Sequence, residues 1–417
     1  MNCRTFGAGR REIDAAIRLI GRSPDLAHPG LQFRQEDHGE PASRRRCVLF
    51  LIPTLGAGGA ERVFTTLIKH LDRRRFRVIL AVVTLSNAVF FGDIPEDVEL
   101  IDLGVSRVRY ALGRIISLVW RRRPDVVFST LGHLNLALAI CRPLLPREVT
   151  FIARETHVIS LDLSSRPFPA ACKALISLYY RHFDIMVCQS RHMQRELIEM
   201  FGLRSEKTIV INNPVDIARI RRQAAEPVSY SPAPERAIKL VAAGRLVEVK
   251  GFDLLIEAIA LLDTPAVQLV ILGDGPLRDG LAALAEARGV AAQIHFAGHQ
   301  SNPYAWFARA DAFVLASRHE AFPNALLEAL ACGTPVIATP APGGVREILA
   351  DVAECVVARS ISAGGLAEAI KTWIARGRAR VPEAATERYA VERIATQYEA
   401  ILGGASNTVK HGGLKSD

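Results

Sequence analysis

From Cys47 onward, short apolar runs alternate with amphipathic segments, and the alternation runs through the chain twice. That pattern restricts the fold to layered α/β architecture. The first series is Cys47 to Ile52, Val78 to Val83, Val126 to Ser129, Val149 to Ala153, Ile185 to Cys188 and Thr208 to Ile211. Runs this short and continuously apolar suit strands of a parallel sheet covered on both faces, with helices such as Ala60 to Leu71 and Met193 to Met200 between them. The second series is Ile238 to Ala242, Gln268 to Leu272, Ile294 to Ala297, Ala312 to Leu315, Pro335 to Ala338 and Cys355 to Val357. Between the series, Pro214 to Arg236 carries four prolines (Pro214, Pro227, Pro232, Pro234) and little strand pattern. It reads as a linker, with a boundary near residue 225. Glu387 to Leu402 reads as one long amphipathic helix.

The expected organisation is therefore a flexible extension over 1–43, helical only at Arg11 to Ile20, and a first doubly wound domain over 44–225. A second such domain over 226–385, a terminal helix over 386–404 and a flexible tail over 405–417 follow. Two doubly wound domains facing each other place the ligand cleft between them, at the carboxyl ends of their strands.

At 417 residues and 49% hydrophobic composition, the chain can bury two ordinary cores. Its net charge of +9 is uneven: residues 1–230 hold 34 Lys and Arg against 23 Asp and Glu, and the remainder 18 against 20. The basic half suits an anionic partner such as a membrane surface, an acidic acceptor or nucleic acid, or else a solvated basic surface. Seven scattered cysteines, an odd number without any C-x2-C pair, point away from a zinc site or a disulfide framework and towards a reducing cytoplasm. No stretch approaches the ~20 apolar residues of a membrane span. The Arg-studded start lacks the apolar core of a signal peptide.

The most informative segment is SRHEAFPNALLEALACGTPVIA (317–338), which follows a strand and runs into a helix beginning around Pro323 and Asn324. Free amides near Phe322, Pro323, Asn324 and Ala325, with the helix dipole, offer an anion site. Glu328 falls one turn into that helix while Glu320 stays in the preceding loop, so the two carboxylates can flank one ligand; taken alone they also fit ordinary surface acids. In VAAGRLVEVKGFDLLIEA (241–258) a strand turns at Gly244 into a loop flanked by Arg245 and Lys250. An arginine fork with a lysine point charge suits a diphosphate, although either cation can equally be solvated.

Together these segments resemble the retaining glycosyltransferases of family 4, and the resemblance covers about Arg46 to Leu402. Glu320 and Glu328 match the family's Glu-x7-Glu pattern, and Gly244 to Phe252 its diphosphate loop. Asn302 to Tyr304 and Pro342 to Glu347 match as well. The resemblance implies a GT-B fold of two Rossmann-like domains. It implies that Arg245 and Lys250 hold the donor diphosphate, Glu320 contacts the transferred sugar and Glu328 binds the ribose hydroxyls. One residue departs: Ala321 stands where the family usually has glycine, which restricts the backbone there.

In the first half, LGAGGAERV (55–63) follows a strand and opens a helix. Gly56, Gly58 and Gly59 lack dinucleotide-fingerprint spacing. Gly-Gly-Ala-Glu-Arg-Val resembles a family branch that extends sugars on polyprenyl-diphosphate carriers, in which Gly58 and Gly59 would lie against donor and acceptor. His133, after the Val126 strand, is the candidate to contact the transferred sugar; a structural histidine is the alternative. Arg154 and Glu155 match a Ser-Glu-Arg segment loosely. Basic clusters Arg73 to Arg75 and Arg121 to Arg123 flank a helix from Tyr110 to Trp120, which can rest on anionic lipid or pack into the core.

No Asp-x-Asp occurs and no His, Cys and carboxylate residues have metal-ligand spacing, so Arg245, Lys250 and helix amides are expected to meet the charge on a departing diphosphate without a metal or other cofactor. The expected activity is glycosyl transfer from a nucleotide diphosphate sugar to an acceptor hydroxyl, on a lipid-linked glycan or cell-surface polysaccharide precursor. The protein is expected to be cytoplasmic, peripheral on the inner membrane face, and not to bind nucleic acid. The rival readings are a nucleotide-sugar epimerase on the same fold and a non-enzymatic basic binding protein.

Overall fold

The computed structural model describes residues 44–404 apart from 57, 87, 165–166, 229–236, 263–265 and 378. The expectations for 1–43, for 405–417 and for Pro232 and Pro234 lie outside the described residues.

Seven parallel strands build the first sheet: β1 (Arg46–Ile52), β2 (Phe76–Val82), β3 (Glu99–Asp102), β4 (Val126–Thr130), β5 (Thr150–Arg154), β6 (Ile185–Cys188) and β7 (Thr208–Val210). Their order is β3-β2-β1-β4-β5-β6-β7. Six parallel strands build the second: β8 (Ile238–Ala243), β9 (Val267–Leu272), β10 (Ile294–Gly298), β11 (Ala312–Leu315), β12 (Val336–Ala338) and β13 (Val356–Val357), in the order β10-β9-β8-β11-β12-β13. Strand order reverses between β1 and β4 in one sheet and between β8 and β11 in the other. In open α/β sheets such reversals open a crevice at the carboxyl ends of the strands.

Strand β3 escaped the sequence reading. Glu99–Asp102 is a half-exposed edge strand, so its sequence carries no continuous apolar run. The linker also holds more structure than its composition suggests. A helix spans Ile217–Ala224, capped by Asp216, whose carboxylate accepts from the Arg219 amide at 2.9 Å. Val215 and Ile220 bury into the second half's core beside Tyr304 and Phe307.

The terminal segment is two helices, Ala384–Glu387 and Val391–Leu402. Between them Val215 docks against the backbone: its N–H donates to the Tyr389 carbonyl at 2.8 Å, and the Val391 N–H donates to the Val215 carbonyl at 3.0 Å. Those two bonds occupy groups that a continuous helix would use internally. The last helix then returns to the first half. Ile394, Tyr398, Ile401 and Leu402 join a core of Phe50, Phe64 and Phe128, with the Tyr398 ring 5.6 Å from that of Phe128.

Both basic clusters form ion pairs: Arg122 of the second pairs with Glu99, and the first reaches the last helix. Arg73 pairs with Asp97 at 2.5 Å and Arg75 with Glu399 of the last helix at 2.7 Å, so this cluster holds the fold. In the helix Val108–Arg122, Ala111, Ile115 and Val119 are buried while Tyr110 and Trp120 are exposed. Core packing thus takes one face and leaves another to solvent. Among the described residues no helix is long and apolar enough to cross a membrane.

Candidate active site in the cleft

The loops after β8 and β11 meet. The Lys250 ammonium donates to Glu320 Oε1 at 2.6 Å, and the Ser317 hydroxyl donates to the same oxygen at 2.7 Å. Two glycines make that approach possible. Gly251 has φ +64° and lies so close to Ala316 that a Cβ would meet its carbonyl oxygen at 2.1 Å. Gly343, at φ +118°, would bring a Cβ within 1.5 Å of the Glu320 carbonyl oxygen. A side chain at either position would push the loops apart. Arg318 braces the assembly through two bonds to Asp253, at 2.9 and 2.6 Å, and one to the Glu248 carbonyl at 2.7 Å. The Arg318 guanidinium holds the Asp253 carboxyl below the usual carboxylate range. Arg245 stands exposed at the mouth of the loop.

Ala321 fits without strain. It is absent from the non-glycine residues with positive φ, and its methyl packs against the apolar core of the first half. The glycine usual at this position is not required by this backbone.

The helix after β11 spans Asn324–Ala331, with Pro323 at its cap. Pro323 supplies no N–H, so the outward donors are the first amides after it. Phe322 turns its ring into the core against Tyr389 and leaves its backbone at the cleft, where its carbonyl accepts from Asn213 at 3.1 Å. Asn213 also donates to the Asn324 side-chain oxygen at 2.6 Å. From the other half, a Cβ on Gly59 would lie 2.9 Å from the Asn324 amide nitrogen, and Gly58 caps the helix Gly59–His70. Arg62 on that helix forms an ion pair with Glu328 at 2.5 Å. Each carboxylate of the Glu-x7-Glu pair therefore has its own cation, Lys250 for Glu320 and Arg62 for Glu328.

At the end of β4, Leu131 adopts φ +76°, and His133 is exposed on the first turn of the helix Gly132–Cys141. A β-branchless but bulky residue at positive φ persists only when its surroundings hold it. The Leu131 carbonyl accepts from the Leu134 and Asn135 amides, and beneath Gly132 lies the enclosed Glu155, whose carboxylate accepts from the Tyr180 hydroxyl at 2.9 Å and the Thr156 amide at 3.0 Å. Tyr180 also reaches the Gly132 carbonyl at 3.3 Å.

Burial pushes the Glu155 carboxyl up from the ordinary carboxylate range, against the opposing pull of those hydrogen bonds and of His157. The folded state then keeps the proton longer than the unfolded chain. Its contribution to stability is present below about pH 4.3, the unfolded value, and is lost as pH rises through the folded value. Glu155→Gln, which cannot ionise, should become more stable relative to the parent as pH rises through that window. Urea midpoints from pH 4 to 8 check this; a pH-independent difference between the two proteins would refute it.

Comparison with known proteins agrees with this geometry. The model for "Glycosyltransferase Family 4" matches residues 57–219, and that for "Glycosyl transferases group 1" matches 229–388. The chain belongs to glycosyltransferase family 4. The N-acetylgalactosamine-N,N'-diacetylbacillosaminyl-diphospho-undecaprenol 4-alpha-N-acetylgalactosaminyltransferase of Campylobacter jejuni is 29% identical over 311 residues, which is 72% of this chain and 82% of that one. The lipopolysaccharide core biosynthesis glycosyltransferase LpsE of Rhizobium meliloti is 37% identical over 165 residues, 40% of this chain and 46% of that one. The Anabaena protein Alr3699/HepE, solved with UDP and glucose, superposes with a TM-score of 0.68 at 21% identity, over 85% of this chain and 99% of that one. These superpositions carry the fold, which is GT-B.

Within this glycosyltransferase the structure gathers Arg245, Lys250 and Glu320 at the ends of β8 and β11, and Gly58, Gly59, Asn324 and Glu328 where the two halves touch. His133 stands at the end of β4. Sequence reasoning missed Arg62, Asn213 and the Arg318–Asp253 brace. Arg62 lay inside the quoted glycine motif, and only its partner, 266 positions later, reveals what it does.

Proposed function

We propose that this glycosyltransferase moves a sugar from a nucleotide diphosphate sugar to a hydroxyl of a lipid-linked glycan or cell-surface polysaccharide precursor, with retention at the anomeric carbon and without a metal ion. The observation that carries the reading is the Lys250–Glu320 contact at the strand-order reversal, which puts a phosphate-binding cation beside a sugar-binding carboxylate. In this reading Lys250, Arg245 and the amides from Asn324 onward hold the diphosphate. Glu328 accepts from the ribose hydroxyls, and Glu320 and His133 contact the transferred sugar.

The bond from the anomeric carbon to the diphosphate oxygen breaks, and that oxygen leaves with the electron pair. The cations stabilise its charge as it develops. The acceptor oxygen attacks on the same face, and its proton passes to the departing diphosphate oxygen. The relatives' names supply the acceptor class: one acts on a diphospho-undecaprenol substrate and another in lipopolysaccharide core biosynthesis.

Contact with an anionic membrane fits one face of the first half. Trp120 donates to the Leu144 carbonyl at 3.0 Å, and Ile140 is exposed beside them, with Arg121 to Arg123 adjacent. One experiment tests the reading. Nucleotide sugars are offered with a polyprenyl-diphosphate-linked glycan, in detergent and in phosphatidylglycerol vesicles, with a chelator present. The expected product retains the donor's anomeric configuration, and Trp120→Ser lowers only the vesicle rate. An inverted product, or loss of transfer on chelation, would overturn the stereochemical or metal-free part.

A further inference from the structure

A cavity of about 720 Å³ opens between the halves, lined by the helix after β6 and by the loop and helix after β12. Arg191 and Arg195 line it from the first half and Arg346 from the second. All three are exposed, and among the described residues none of their guanidinium groups has a hydrogen-bond or ion-pair partner.

Of the two acids in the same cavity, Asp351 has a cation of its own and Glu347 is held by neutral donors. Glu347 accepts from the Arg191 backbone N–H at 2.8 Å and from Asn212 at 3.2 Å, and Asp351 pairs with Arg388 at 3.3 Å. Three guanidinium groups share this concavity with one carboxylate, Glu347, beside the Arg388–Asp351 pair, so the lining carries net positive charge and favours an anion. Planar guanidinium forks match phosphate oxygens in pairs. The nine-residue helix Arg191–Glu199 begins at this cavity and turns its positive dipole end towards it, although Glu347 takes the Arg191 N–H and the Ser190 cap the Met193 N–H.

The geometry points to a second anion site, distinct from the donor's, that takes the diphosphate by which the acceptor is attached to its carrier. The assignment to the acceptor rests on the transferase reading above. None of Arg245, Lys250, Glu320 and Glu328 lines this cavity. It nevertheless connects to the reacting end: the Glu320 N–H donates to the Pro342 carbonyl at 3.0 Å, and Pro342 is part of the cavity wall. A diphosphate held here by both halves would set the distance between carrier and acceptor hydroxyl and favour the closed cleft.

The test combines binding and kinetics on the full chain. In a Lys250→Ala background, which weakens the donor site, calorimetry should still detect inorganic pyrophosphate, and R191Q/R195Q/R346Q should weaken that binding by about tenfold or more. The same triple change in the otherwise unaltered enzyme should raise KM for a lipid-diphosphate-linked acceptor by about tenfold or more, with kcat and donor KM unchanged. For the same glycan on an uncharged aryl group it should change nothing. Geranylgeranyl diphosphate in neutral vesicles separates the sources: binding there supports a lipid carrier, whereas binding of pyrophosphate alone supports a soluble phosphorylated acceptor. Loss of all pyrophosphate binding in Lys250→Ala, or equal losses with charged and uncharged acceptors, would overturn the site while leaving the transferase reading intact. That reading fails separately, if Lys250→Ala transfers sugar at the parent rate.

Discussion

Replacing Lys250 with alanine is expected to lower kcat/KM for sugar transfer by about 100- to 1,000-fold, the range for removing one preorganised donor from a developing oxyanion. The reason is geometric. Its ammonium is held 2.6 Å from Glu320 in a partly buried position, between loops that Gly251, Gly343 and the Arg318–Asp253 brace bring together. In the proposed reading alanine removes a cation from the departing diphosphate, and it leaves Glu320 Oε1 with the Ser317 hydroxyl. Lys250→Arg should recover little, because a planar fork cannot replace a compact ammonium in the space beside Glu320 Oε1. Glu320→Gln tests the pair from the other side. If the two effects arise from one unit, Lys250→Ala with Glu320→Gln should lose far less than the product of the single losses. Steady-state rates with saturating acceptor measure this, and a loss under about fivefold for Lys250→Ala would exclude the assigned role.

The second large effect concerns stability. Tyr398→Ala should destabilise the protein by about 3–5 kcal/mol, the usual cost of emptying a core aromatic position. Tyr398 is fully buried 5.6 Å from Phe128, at the far end of the chain from the core it completes. Beside it the Arg154 guanidinium opposes the upward push of burial on its phenol, and Arg154 donates to Asn213 at 2.5 Å at the crossover between halves. The lost ring therefore leaves both a cavity and a looser crossover. Tyr110→Ala, at a residue 58% exposed, is the matched control and should move the urea midpoint little. Equal midpoints for Tyr398→Ala and the parent would show that the last helix is not part of this core.

The local patterns reached the sequence unmixed. Buried strands such as Leu49 to Ile52 or Val267 to Leu272 need apolar residues on both faces, so they stand out as continuous runs. The half-exposed Glu99–Asp102 has no such need and left no such trace. Glu387 to Leu402 read as one helix because periodicity records which face is apolar, not whether Val215 will claim the Tyr389 carbonyl near its start. Ala321 looked doubtful beside a glycine pattern, but its φ is an outcome of the surrounding packing and proved to be one that alanine tolerates.

The sequence by itself determined the two α/β halves, the Glu320 and Glu328 spacing, the Arg245 and Lys250 loop and the family, because each is carried by residues close together in the chain. Tertiary structure alone decided that Lys250 meets Glu320, that Arg62 meets Glu328, that Glu155 lies under the His133 turn, and that the final helix packs on the first core. These contacts join positions tens to hundreds of residues apart. No periodicity or spacing records them, since a side chain's partner depends on how whole sheets and loops stack.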